Sequence, residues 1–100
     1  MMAVSGPVVN LKCTYRDARF CPLHCSWSAP IRSSGEIRFY KVQITKEDEI
    51  LYEGNTTSRY IYLLQSLQHG ENYNVTVRPV TVKEGMPAST VIFFENIGKI

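Results

Sequence analysis

An all-β fold of seven short strands, arranged as a sandwich or a small barrel, is what this sequence predicts, and three observations carry the prediction. Helical periodicity is missing: no window of 11 or more residues sets apolar side chains at i, i+3, i+4 and i+7 behind a capping residue. Short runs of alternating apolar and polar residues recur along the chain instead, separated every 8 to 15 residues by turn-forming sequence. The six Tyr, four Phe and one Trp also favour strands.

The strands follow in order. The first covers residues 8–15. The second, residues 22–28, sets Leu23, Cys25 and Trp27, with Cys21 just before them, on one face and Pro22, His24, Ser26 and Ser28 on the other, because successive side chains alternate. The third, residues 36–46, alternates Tyr40, Val42 and Ile44 with Phe39, Lys41 and Gln43. The fourth is short, residues 50–53. The fifth, residues 58–65, is apolar on both faces from Tyr60 to Leu64, so its inward side stays open. The sixth, residues 72–82, separates Tyr73, Val75 and Val77 from Asn74, Thr76 and Arg78. The seventh, residues 88–95, contains the apolar run Val91-Ile92-Phe93-Phe94. Turn chemistry fills the breaks: Ala29-Pro30 with Ser33-Ser34-Gly35, residues 46–49, Gly54-Asn55, His69-Gly70, and Glu84-Gly85-Met86-Pro87.

The chain of 100 residues fits one domain, and a domain of this size buries something over ~60% of its unfolded surface. With 44% hydrophobic and 20% charged residues, neither disorder nor a fibrous repeat is indicated. A net charge of +2, dispersed along the chain, argues against nucleic acid and against an anionic membrane as partner. No stretch approaches the ~20 apolar residues of a membrane span, so direct membrane insertion is not expected. The first nine residues lack the basic and apolar regions of a signal peptide. Three cysteines and two glycosylation sequons, Asn55-Thr56-Thr57 and Asn74-Val75-Thr76, nevertheless point outside the cell. The expectation is a segment of a larger extracellular protein whose leader, neighbours and anchor lie elsewhere. Residues 1–6 read as an N-terminal tail, 7–95 as the domain and 96–100 as a C-terminal tail or linker.

Catalysis finds little material. The chain has two His and two Asp, Asp17 and Asp48, with no glycine-rich phosphate loop and no Ser in a nucleophile elbow. His69 and Glu71 fall in a turn. Cys21, His24 and Cys25 are close enough in sequence to suggest zinc, but on a strand His24 points away from both cysteines and no fourth ligand lies nearby. The reading is non-enzymatic, with no catalytic, cofactor-binding or metal residues.

The order Pro7, Trp27 followed by Ala29-Pro30, Tyr40-Lys41-Val42-Gln43-Ile44, Leu64, and Leu67-Gln68-His69-Gly70-Glu71-Asn72-Tyr73-Asn74-Val75-Thr76-Val77 resembles a fibronectin type III domain from Pro7 to about Glu95. The resemblance implies a seven-stranded immunoglobulin-like β-sandwich with Trp27 at the centre of the core. It also implies a tyrosine corner, in which Tyr73 is buried and its hydroxyl bonds back to the chain near Leu67 and Gly70. His69 stands where the family usually has Pro. Trp27, Tyr40, Leu67 and Tyr73 are then scaffold and not site. By the family's topology the loops of residues 30–36, 54–59 and 83–87 gather at one pole, and Arg32, Arg59, Lys83 and Met86 become candidate partner contacts. Loop residues of this kind commonly do no more than solvate a turn. An Arg-Gly-Asp tripeptide is absent from the sequence, which excludes integrin recognition by that route.

Cys13 and Cys25-Ser26-Trp27 are similar in part to class I cytokine receptor modules, which implies a Cys13–Cys25 disulfide; a Cys13–Cys21 bridge and three reduced thiols remain alternatives. The 11-residue spacer is long for that family, and its second disulfide and Trp-Ser-x-Trp-Ser motif are missing. Cys21 is left over under the first pairing. The function expected is that of a spacer and protein-interaction module in a receptor or cell adhesion protein, monomeric in isolation, contacting a protein partner or neighbouring domains. The parent protein then has room for an enzymatic domain elsewhere, such as a tyrosine phosphatase. The alternative is a ligand-binding module of a cytokine-receptor-like ectodomain. On the outer face of the third, sixth and seventh strands two ideas compete: a glycan at Asn74, or an apolar patch of exposed Phe39 with the seventh strand.

Overall fold

The computed structural model describes residues 5–15, 23–33, 35–63 and 71–94. Within them the chain forms β1 (Val9–Tyr15), β2 (Leu23–Ser28), β3 (Phe39–Lys46), β4 (Glu49–Thr56), β5 (Tyr60–Leu63), β6 (Glu71–Val80) and β7 (Ala88–Phe94). Two antiparallel sheets result, one ordered β1-β2-β5 and the other β4-β3-β6-β7, which is the sandwich the sequence predicts. Cys21, Leu64, Leu67, His69 and Gly70 lie outside the described residues.

Alternation builds the core. Leu23, Cys25, Val42, Ile44, Val75 and Val77 are wholly excluded from solvent, and Tyr73 is nearly so. Trp27 and Tyr40 join them from opposite sheets, their rings edge to face with centroids 5.4 Å apart. That geometry sets the positive ring edge of one against the negative face of the other. The fifth strand resolves its ambiguity: Ile61 packs on the core while Tyr60 and Tyr62 point outward, Tyr62 stacking on His24 at 4.5 Å.

Strand boundaries differ most from expectation in β3 and β4. β3 begins at Phe39 and not at residue 36. β4 runs through Gly54 and Asn55 to Thr56, because its pairing with β3 continues through Val42↔Gly54, Lys41↔Asn55 and Tyr40↔Thr56. Gly54 is therefore not a turn residue. The Tyr52 ring folds over it so closely that a Cβ there would meet the phenol oxygen. Ser5 and Gly6, read as tail, are held within the domain. Ser5 is fully buried, and backbone bonds run from Gly6 N–H to the Arg32 carbonyl at 2.9 Å and from Met86 N–H to the Ser5 carbonyl at 2.9 Å.

In β1 the ladder slips by one residue between Val9 and Lys12, and Asn10 takes φ +58°. Asn tolerates this left-handed conformation better than most residues with a side chain, which suits it to a bulge.

Candidate functional site

The ends of β2, β4 and β6 and the starts of β1, β3, β5 and β7 meet at one pole of the sandwich. The chain entering β1 crosses this pole between two loops. One is the β2–β3 loop, bonded through Arg32 to Gly6; the other is the β6–β7 loop, bonded through Met86 to Ser5. Local sequence explains the second loop. Pro79 has no N–H for a ladder, and β6–β7 pairing ends at Val77↔Ala88, so the Pro79 carbonyl accepts instead from Gly85 N–H at 2.7 Å. Gly85 is buried, and a Cβ on it would stand 2.8 Å from the Ser5 carbonyl oxygen.

Between these segments opens an apolar cleft of about 390 Å³ lined by Gly6, Pro7, Val9, Ile31, Arg32 and Met86. Ile31 is 86% exposed and Met86 52%. Two apolar side chains held this far into water beside a ready-made recess are the kind of feature that marks a contact surface. Of the four predicted contact residues, the structure brings Arg32 and Met86 together here. Arg59 and Lys83 are exposed but do not line the cleft. The Arg59 carbonyl accepts from Trp27 N–H at 3.0 Å, and its charge faces Tyr40, whose phenol is pushed up by burial and drawn partly back by that guanidinium. Sequence reasoning missed Ile31, Pro7 and Val9. The available signal was Ile31 itself, a large hydrophobe inside a turn-rich loop.

Below the pole, the outer face of the four-stranded sheet carries a charge network. Lys41 bridges Glu84 at 3.1 Å and Glu53 at 3.3 Å, and Arg78 reaches Glu84 at 3.7 Å. Gln43 donates to Glu53 at 2.8 Å. These bonds raise the Lys41 pKa, chiefly through Glu84, and lower that of Glu53, chiefly through Gln43 and then Lys41. Glu84 thereby tethers the β6–β7 loop that presents Met86.

Cys13 faces Cys25 across the β1–β2 ladder, and their sulfurs are bonded. Both sequon asparagines are exposed, but Asn55 sits on the edge strand β4 and not in a loop, for the pairing reason given above. Asn74 is on β6, facing outward. Phe39 is half-buried and pairs with Val80, beyond the last residue of β6 that meets β7, so it forms no patch with β7. Among the described side chains of β7, Val91 and Phe93 are exposed and apolar. Among the described residues no group of three or more His, Cys, Asp or Glu is placed to hold a metal ion.

Comparison with known proteins matches residues 6–95 to the family model described as "Fibronectin type III domain". No curated protein matches the chain. Among solved structures, domains d3–d4 of the extracellular region of rat CD45 superpose with a TM-score of 0.80 at 14% identity, covering 91% of this chain and 50% of that one. The chain thus spans half the length of that structure, and at this identity the likeness is one of fold.

Proposed function

The chain belongs to the fibronectin type III family, and we propose that it serves in the extracellular part of a receptor or cell adhesion protein as a spacer and a protein-binding module. The carrying observation is the apolar cleft at the pole, where Ile31, Met86, Pro7 and Val9 are presented on a backbone stitched by three hydrogen bonds. Its partner is a protein surface, from a neighbouring domain or a separate chain, that offers an apolar side chain to the recess and an acceptor to Arg32. The charge of Arg32 suits a carboxylate at the rim. The Cys13–Cys25 bond supports an oxidising compartment, and the similarity to an extracellular region is in keeping with it. The domain proper is taken as residues 7–95 with Ser5 and Gly6 folded onto it, and it performs no chemistry.

A photo-crosslinking residue placed at Ile31 in the parent protein on the cell surface tests this. Peptide mapping should show cross-links to one defined protein segment, lost when Met86 is changed to Ser and absent when the probe sits at Gln43. Equal, diffuse labelling from both positions would sink the reading. A second reading, a ligand-binding module of a cytokine-receptor-like ectodomain, is favoured by the placement of the disulfide two residues before Trp27. A following domain bearing Trp-Ser-x-Trp-Ser in the parent sequence would support it; tandem copies of the present pattern would support the first reading.

A further inference from the structure

The two ends of the outer β4-β3-β6-β7 face differ in character. Near the pole, Lys41, Arg78, Glu53 and Glu84 neutralise one another. At the far end β7 exposes Val91 and Phe93, 62% and 51% accessible. Their register partners on β6 are Asn74 and Asn72. Side chains opposed in this way have Cβ atoms about 4.5–5.5 Å apart. Behind the patch, Val91, Ile92 and Phe93 form one wall of a recess of about 370 Å³ whose other wall is Cys13 and Thr14. An apolar pair on an unpaired edge strand is a template for unwanted association.

Asn74 opens the sequon Asn74-Val75-Thr76, its side chain is exposed, and the Thr76 hydroxyl lies on the same open face, 3.0 Å from the Ser89 hydroxyl. We propose that Asn74 carries an N-linked glycan whose first N-acetylglucosamine lies over Val91 and Phe93, so that the apolar patch of β7 is covered by the chain's own sugar. This rests on the extracellular reading above. In the attachment, Asn74 Nδ2 forms a bond to C1 of the sugar, the bond from C1 to a lipid-linked pyrophosphate breaks, the amide proton passes to a base, and the pyrophosphate leaves with the electron pair. The sugar ring brings C–H groups on one face to the Phe93 ring and hydroxyls on the other to water, which turns an apolar surface into a solvated one. The second sequon differs in its direct partner: Asn55 faces Lys41, already ion-paired, so a glycan there lies over charge.

The test uses the full chain secreted from glycosylating eukaryotic cells. Glycopeptide mass spectrometry should find Asn74 occupied. After an endoglycosidase trims the glycan to its first sugar, nuclear Overhauser contacts should link the N-acetyl and ring protons of that sugar to the Phe93 ring. Asn74→Gln should increase binding of an apolar-surface dye several-fold, whereas Thr76→Ser, which keeps the sequon, and Asn55→Gln should not. An empty Asn74 in material that carries sugar at Asn55 or an intact Cys13–Cys25 bond overturns the proposal and leaves the extracellular reading standing. An unmodified chain with reduced cysteines overturns both. An occupied Asn74 whose sugar shows no contact with Phe93, or a dimer that buries Phe93, also overturns it.

Discussion

Cys13 stands directly across the β1–β2 ladder from Cys25, with Cα atoms 4.0 Å apart, so the disulfide ties neighbouring strands of one sheet and does not cross between the sheets. Its closed loop is short, with a sequence separation of 12. Replacing both cysteines by Ala should cost roughly 3 kcal/mol, read as a lower midpoint in urea unfolding. The sheet pairing should survive, because Leu23 and Trp27 are held by packing from the opposite sheet. Loss of the sandwich itself in circular dichroism would show that the bond does more than restrict the unfolded chain.

Trp27 is a buried member of that core. Trp27→Ala should cost ~3–5 kcal/mol, because the cavity left beside Tyr40 cannot close across two sheets. The same experiment on Tyr62, which is 62% exposed, should change stability by no more than about 0.5 kcal/mol.

Gly85→Ala is a sharper probe of the pole. The added methyl would press on the carbonyl oxygens of Ser5 and Pro79, at 2.8 and 2.9 Å, and both belong to backbone that cannot swing aside. A destabilisation of about 1–3 kcal/mol is expected, and the Met86 amide should lose protection against hydrogen exchange as its bond to Ser5 loosens.

Glu53 gives the expected pH response. Its pKa is lowered in the folded chain, so its contribution is present above the unfolded value of ~4.3 and is lost as pH falls through the lower folded value. Lys41 runs the other way: its pKa is raised, so its contribution is full below the ordinary lysine value and fades as pH climbs past the folded one. Both groups are on the surface, so the effect is small and screened by salt. Side-chain NMR titration should place Glu53 below the usual glutamate range, with Gln43→Ala and Lys41→Met each moving it back up.

What was legible in the sequence was whatever a period of two can encode. Leu23, Cys25 and Trp27, or Tyr73, Val75 and Val77, declare their inward face because one side of each strand meets the core and the other meets water. The length of β4 was hidden because Gly54-Asn55 carries the composition of a turn, while its fate is decided by β3 and by the Tyr52 ring lying on Gly54. The cleft was half visible. Arg32 and Met86 follow from loop position alone, but Pro7 and Val9 reach the site only through the Ser5 and Gly6 backbone bonds, which no local pattern announces.

The bulge at Asn10 changes how insertions and deletions should be tolerated in β1. On one side of it Val8 turns inward, and on the other Leu11 and Cys13 do, although a regular strand cannot bury both an even and an odd position on the same side. One left-handed residue supplies the missing half-step. Shortening this stretch by a single residue would therefore set Val8 and Cys13 out of phase with each other. An alignment would record one gap at an exposed edge, while the molecule would lose either its crosslink or the strap that crosses its pole.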